Sequence, residues 1–350
     1  MIQSVFFSEI KKHLVEEKPF VIYKKPDELQ LTAQLQIEAT LQKENFNEDG
    51  FVFAPFTNNS HNTIWFPTQK ARVIKSILKK EDLVLEGQVK EQEQAELEKN
   101  HISIIDKALR ALNLKELKKV VLSRKESVAI KNQNPFVYFE RMCYLYPNTF
   151  CYCWYHPKVG MWLGATPETL IKLSENNFET MALAGTMPFS NTIKATWGAK
   201  EKEEQQFVVD SILSTLHPIT KKIKVGETIT QRAGSLLHLK TPISAELTST
   251  KGIYALIKLL HPTPAVCGLP KQKAQDFIIE NEGYNRKYYT GFLGIINPEK
   301  SSHLYVNLRC MELEGNQAII YIGGGITALS NPQKEWQETV NKSQIMKRIL

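Results

Sequence analysis

Hydrophobic residues come in short alternating runs at the start of the chain. Phe20–Tyr23, Leu31–Leu35 and Gly50–Phe56 read as strands, so residues 1 to about 70 are expected to be mainly strands and loops. The charged stretch Glu86–Lys99 reads as the solvated start of a helix. It leads into an amphipathic segment, Glu96–Leu112, with Ile102, Ile105, Ala108, Leu109 and Leu112 on one face and Asn113 at its end. Strand signals then return with short connections: Lys119–Arg124, Thr149–Tyr155, Gly160–Ala165, Thr169–Leu173 and Phe178–Ala184. Helical spacing follows over Ala199–Leu216, Lys251–Leu260 and Lys271–Glu282. Three more strands are expected at Tyr289–Ile296, Leu304–Leu313 and Ala318–Ile322. A last helix starts near Pro332, with Ser330 and Asn331 as candidate caps.

Strands joined by short loops pair antiparallel, because a parallel pair needs a long crossover. Runs of strands followed by runs of helices predict an α+β fold in one large domain. Two antiparallel sheets would pack face to face, flanked by helices, with the site between the lobes. No GxGxxG opens a helix after a strand and no P-loop occurs, so dinucleotide and ATP chemistry have no support.

Composition changes this picture little. With 350 residues and 42% hydrophobic content, the chain can bury a large core. Its net charge of +7 collects in Lys-rich stretches such as Lys11–Lys25 and Lys115–Lys125. Such a field suits anionic small molecules as well as nucleic acid, and a solvated basic surface accounts for it equally. Five cysteines without regular spacing argue against a disulfide framework and for a reducing compartment. In Cys151-Tyr152-Cys153 on a strand, both sulfurs would share one face, a structural rather than metal-binding arrangement. The N-terminal residues do not resemble a signal peptide. No run approaches the roughly 18 apolar residues of a spanning helix, so a cytoplasmic protein is expected.

Chemistry concentrates at a few places. Glu335, Glu338, Lys342, Ile345 and Ile349 fall on one stripe of the last helix, which carries two carboxylates and an ammonium toward the apolar side. A surface helix with a Glu338–Lys342 pair explains the same spacing. Glu201, Glu203 and Glu204 crowd the first turn of the helix at Ala199, where the macrodipole favours anions, and Glu204 lies at the edge of the buried face. One carboxylate from each helix would suit a hard cation such as Mg2+. Lys119 shares a strand face with Val121 and Ser123. Desolvation there lowers a lysine toward general-base use, while snorkelling at the strand end is the structural alternative. Glu168 follows a Pro turn and is either an active-site acid or a turn residue. Gly323-Gly324-Gly325 closes a strand, as an anion-binding backbone or a tight bend. Arg309 is read on a strand face with Asn307 and Tyr305, for bidentate carboxylate binding or a cross-strand ion pair.

The order of the motifs is more specific than any one of them. LKKVVLSR, GATPETL, ALAGT, KEKEEQQFVVDSI, LLHLKTPISA, LLHPTPAVCG, ENEGYNRKYYTGFLG, VNLRC and IGGGI…EWQETVNK together resemble the chorismate-utilising family. That family includes isochorismate synthases, salicylate synthases and the large subunits of anthranilate and aminodeoxychorismate synthases. The resemblance covers about 100–348, with a looser match through Gly50–Phe56. It implies one fold in which residues 1–95 form the loosely matched N-terminal part and 96–350 the chorismate-binding catalytic region.

The resemblance also implies roles. Lys119 matches the base that activates water for attack at C2 of the ring, and Glu168 the acid that protonates the departing C4 hydroxyl. Glu204 and Glu338 match magnesium ligands, with Glu335 and Glu201 nearby. Arg309, Tyr289 and the Gly323–Gly325 backbone resemble the binders of substrate carboxylates, with Lys342 close by. Thr241, His261, Thr186 and Gly185 resemble pocket-lining positions. Amine-using members tend to carry Gln at the Lys119 position or Lys at the Ala184 position, so water is the implied nucleophile. The chain departs from the family pattern at Gln205, where a His is usual, and at Met187-Pro188-Phe189, which lacks a common Arg pair. The implied reaction is Mg2+-dependent conversion of chorismate to isochorismate, for menaquinone or a catechol siderophore. A monomer without a glutamine amidotransferase subunit, nucleic acid or membrane partner is expected. Pyruvate loss to salicylate, amination, and non-catalytic anion or nucleic-acid binding are the alternatives.

Overall fold

Every residue of the strand Phe20–Lys24 is buried, and its two faces go to two different cores. Phe20 and Ile22 join an outer cluster with Phe6, Phe136 and Phe139, whereas Val21 and Tyr23 join an inner, largely aromatic cluster. The period of two sorts the side chains, so a continuous apolar run means a strand covered on both sides.

The computed structural model describes residues 1–57, 62–79, 95–131, 134–189, 195–234, 236–248 and 252–350. Its helices are α1 (Gln3–Val15), α2 (Ala95–Asn113), α3 (Pro135–Leu145), α4 (Ala199–Leu216), α5 (Ile253–Leu260), α6 (Lys271–Asn281) and α7 (Pro332–Lys347). Among the described residues there are two sheets of nine strands each. The first runs β14 (Gly268–Leu269), β6 (Lys119–Ala129), β18 (Gln317–Ile326), β17 (Cys310–Glu314), β8 (Gly160–Thr166), β7 (Phe150–His156), β1 (Phe20–Lys24), β2 (Gln30–Gln36), β5 (Ala71–Ile77). The second runs β11 (Thr220–Val225), β13 (Leu236–Leu247), β10 (Asn177–Pro188), β9 (Thr169–Ser174), β16 (Ser302–Val306), β15 (Phe292–Ile296), β3 (Gly50–Ala54), β4 (Ile64–Pro67), with β12 (Ile229–Ala233) on β13. The ladders between these strands are antiparallel. This is the expected α+β sandwich.

Aromatic residues fill the space between the sheets. Tyr152, Trp154 and Trp162 from the first sheet meet Phe51, Phe53 and Phe66 from the second, with Phe53 and Trp154 rings 4.5 Å apart. Burying each such ring contributes about 1.5–3 kcal/mol. Cys151 and Cys153 point the other way from Tyr152, into the core under α1 and α3, and all five cysteines are free and buried. Helices α4 and α5 cover the outside of the second sheet, and α2 and α6 pack at the β6 end of the first.

Several elements differ from the sequence reading. Residues 3–15 form a helix, because Phe6 and Ile10, four apart, dock on the first sheet. Residues 135–145 form another, capped by Asn134. The stretch Leu304–Leu313 is two strands in different sheets: β16 ends at Val306 and β17 begins at Cys310. Arg309 lies in this crossover with φ +48°, and Tyr289 precedes β15 rather than lying on it. Of the helix expected over Lys251–Leu260, position 251 lies outside the described residues and α5 runs Ile253–Leu260. Of the charged stretch Glu86–Lys99, positions 86–94 lie outside the described residues. Asn331 caps α7 as expected, accepting from Lys334 N at 3.1 Å. Among the described residues, no helix is long and apolar enough to cross a membrane.

Candidate active site

The site is built on the β6–β18 ladder. Gly323, Gly324 and Gly325 on β18 pair with Ser123, Leu122 and Val121 on β6. Lys119 opens β6, pairs with Leu269 on the edge strand β14, and is fully buried. Its Nζ lies 3.1 Å from Glu204 Oε1 on α4. A Cβ at position 325 would occupy the place of that carboxylate and stand 3.1 Å from Lys119 Cε. Only glycine lets α4 bring Glu204 this close to the strand. A Cβ on Gly324 would meet Glu338 Oε1 at 3.5 Å and Glu335 Oε2 at 3.8 Å. Three carboxylates from α4 and α7 therefore gather over Gly324–Gly325.

Each carboxylate has a lysine partner. Lys119 takes Glu204; Lys200 is 2.9 Å from Glu335 Oε1 and 3.9 Å from Glu204 Oε2. Lys342 donates to Glu338 Oε1 at 2.7 Å and to the Gly323 carbonyl at 2.9 Å. Burial raises the Glu204 carboxyl, but Lys119, Lys200 and Lys342 outweigh it and leave it below its ordinary value. Burial wins at Glu335, reinforced by Glu338 and only partly offset by Lys200, so its carboxyl sits above the ordinary value. The last helix thus carries both readings of its stripe: Glu335 and Ile345 are buried, while Glu338 and Lys342 pair four apart.

Glu168 comes from the turn between β8 and β9. Val306 N donates to its carbonyl at 3.0 Å, and its own N–H donates to Thr166 Oγ1 at 3.3 Å. The residue is 3% exposed, and burial pushes its carboxyl up to about 8, against the pull of Lys119 and Arg309. It is therefore mostly protonated at neutral pH. Arg309 sits in the sheet-to-sheet crossover in a left-handed conformation, an unfavourable place for a non-glycine residue that the surrounding packing enforces. Its Nη2 donates to His238 Nε2 at 2.7 Å, and its Nη1 is buried without a partner. His238 Nδ1 in turn donates to the Gly185 carbonyl at 3.0 Å. Burial, Arg309 and Lys342 hold this imidazole well below its usual value, so it is neutral and accepts from the guanidinium. Gly185 has φ +68° at a break in the β10–β13 register, which turns its carbonyl toward His238. The Tyr289 hydroxyl lies over Gly323, where a Cβ would meet it at 2.8 Å, and burial raises its ionisation so that it stays a donor.

One cavity is lined by Glu168, Gly185, Thr186, Glu204, Tyr289, Arg309, Gly323–Gly325 and Lys342, with Val121, Leu183, Leu308, Ile322 and Met346 as apolar wall. Lys119 lies just behind this wall, beyond Gly325. Glu335 and Glu338 line an adjoining cavity that shares Thr186 with the first, and Glu201 lies there too. The Glu201 carboxylate is turned back to Gly198 at the helix start, away from Gly324–Gly325.

Two expected lining residues are elsewhere. Thr241 is buried behind α4, where it accepts from Gln205 Nε2 at 2.9 Å. His261 packs on Phe292, with ring centres 5.0 Å apart, and its Nε2 is 3.3 Å from the Phe56 carbonyl. The residues that line the cavity from those two motifs are His238, Ala265 and Val266. His238 was legible as a lone imidazole between Leu237 and Leu239 on a strand. Lys200 carried no signal beyond its place in a charged helix start.

The donor set suits a hard divalent cation: oxygen ligands only, on two rigid helices, over a backbone that admits no side chain. Among the described residues no three His, Cys, Asp or Glu side chains are drawn into ligating range of one point, and the Lys200 ammonium lies within 4 Å of both Glu204 and Glu335.

The chain is 31% identical over 241 residues to the salicylate biosynthesis isochorismate synthase of Pseudomonas aeruginosa, covering 66% of this chain and 50% of that protein. It is 29% identical over 248 residues to the isochorismate synthase MenF of Haemophilus influenzae, covering 68% and 57%. The chain spans about half the length of the curated relatives it matches. The structure of MenF, the menaquinone-specific isochorismate synthase from Escherichia coli, superposes with a TM-score of 0.77 at 22% identity, over 95% of this chain and 88% of that one. Anthranilate synthase component I from Streptococcus pneumoniae superposes at 0.69 with 18% identity, over 94% and 90%. These likenesses establish the fold. The profile of the family described as chorismate binding enzyme matches residues 51–350, which hold every side chain of the cavity, and the chain belongs to that family.

Proposed function

We propose that this protein is a Mg2+-dependent isochorismate synthase. Water adds at C2 of chorismate and the C4 hydroxyl leaves as water, so the ring is isomerised without net gain or loss of atoms. The observation that carries the reading is the pairing of Glu168, a carboxyl kept protonated by burial, with Lys119, whose positive charge is close enough to act on that carboxyl. Glu168 delivers a proton to the departing hydroxyl; Lys119, an ammonium while it is paired with Glu204, takes one from the attacking water only in its deprotonated amine form. The unpaired Arg309 Nη1, the Tyr289 hydroxyl and Lys342 supply donors for an anionic substrate. A cation held by Glu204, Glu335 and Glu338 would anchor and polarise a substrate carboxylate. Lys119 and Ala184 favour water over ammonia as nucleophile, and the menaquinone-specific and 2,3-dihydroxybenzoate-specific isochorismate synthases among the structural neighbours support a menaquinone or catechol destination.

The test is incubation of the pure protein with chorismate and Mg2+, with and without ammonium, followed by product separation. Isochorismate alone is the expected product. Salicylate with pyruvate would make it a salicylate synthase, and aromatic amines would make it an aminating member. Tight, salt-dependent binding of nucleic acid without chorismate turnover would refute an enzymatic role.

A further inference from the structure

The three carboxylates over Gly324–Gly325 are matched by three ammoniums, and these are not equivalent. Lys119 is wholly enclosed on β6. Lys342 is anchored to the Gly323 carbonyl as well as to Glu338. Lys200 stands between helices: it rises from the first turn of α4 and reaches across to Glu335 on α7, with Glu204 beside it. It also borders a cavity of ≈ 470 Å³ that Glu335 and Glu338 themselves line, together with Glu201, Asn331, Lys334 and Asn341. That space offers Lys200 other acceptors and room to move, which Lys119 lacks.

The geometry points to Lys200 as a tethered counter-ion that occupies the cation site and must be expelled when a divalent ion binds. This rests on the cation reading given above and concerns how the site is filled. The ammonium holds α4 and α7 together while no metal is bound. Binding of the ion breaks the Lys200–Glu335 contact and sends the side chain into the adjoining cavity. The divalent ion therefore competes with an internal monovalent one, which weakens its apparent affinity and keeps the carboxylates from repelling one another in its absence.

The test is metal binding by the chelator-treated, substrate-free protein, by calorimetry with Mg2+ and by the electron paramagnetic resonance signal of free Mn2+. Lys200→Met removes the charge while keeping the length, and should tighten both ions at least tenfold. Lys200→Gln, checked for native circular dichroism, should do the same if the Met variant folds poorly. Lys200→Arg should bind as weakly as the native chain or more weakly. Equal or weaker binding in both neutral variants would overturn the role of Lys200 while leaving the cation site standing. Absence of stoichiometric binding in all the proteins would overturn the site itself. The product assay with chorismate judges the reaction separately.

Discussion

Glu168→Gln should make the protein both inactive and more stable. The native carboxyl is buried at 3% exposure and titrates at about 8, against an ordinary 4.5. At pH 7 a group titrating at 8 is protonated about ten to one, whereas an ordinary carboxyl would be ionised about three hundred to one. The environment thus keeps the acid form available for proton donation. It does so at a cost to folding. The folded chain binds the proton more tightly than the unfolded chain, so stability is complete below about 4.5 and falls as pH rises through about 8. At pH 7 the gap of 2.5 units, at 1.36 kcal/mol each, amounts to about 3 kcal/mol. Gln keeps the shape and carries no titrating proton. The variant should gain up to about 3 kcal/mol at pH 7 and almost nothing near pH 4.5. It should also lose roughly 10²–10⁴-fold in kcat, the usual contribution of a general acid. Denaturant unfolding of both proteins across pH 4.5–8, beside chorismate turnover, measures both effects. A native kcat profile without a falling limb near pH 8 would refute the reasoning. So would a Gln variant that is no more stable at pH 7 than the native chain.

Three further outcomes follow from the same contacts. Lys119→Ala should abolish turnover and lose about 3–5 kcal/mol of stability, because it leaves Glu204 buried without its ionic partner. Adding Glu204→Gln should recover part of that loss, and chemical denaturation of the single and double variants decides it. Gly325→Ala should displace the Glu204 carboxylate, lowering kcat by at least about 100-fold and flattening the Mg2+ dependence, whereas native-like metal titration would contradict the close approach. Arg309→Lys should raise KM for chorismate by about 10–100-fold, since an ammonium cannot serve His238 and an anion with one planar fork. Unchanged KM would remove Arg309 from the anion-binding set.

Much of the fold was legible from period alone. The strand at Thr149–Tyr155 and the helix at Ala199–Leu216 follow the alternation and the helical spacing of their apolar residues. So did the opposite faces of Cys151 and Tyr152, because a strand leaves no other choice. Periodicity failed where a segment changes partner. Leu304–Leu313 reads as one strand because both halves are apolar, but the chain leaves one sheet at Val306 and enters the other at Cys310. That switch depends on contacts from distant strands, and it puts Arg309 in the cavity rather than on a sheet face.

The chain by itself determined which groups were available: a lysine opening a strand, a carboxyl after a Pro turn, acidic helix starts and a run of glycines. Their order pointed to one family because that order is a linear property. Only the tertiary structure decided their states and neighbours. Burial depends on what packs on all sides, so the protonated form of Glu168 and the neutral form of His238 have no local signature. Thr241 and His261 were misplaced, and Lys200 overlooked, for the same reason. Distances between residues 135 apart in the chain are set by packing, and packing places the Lys200 ammonium 2.9 Å from Glu335.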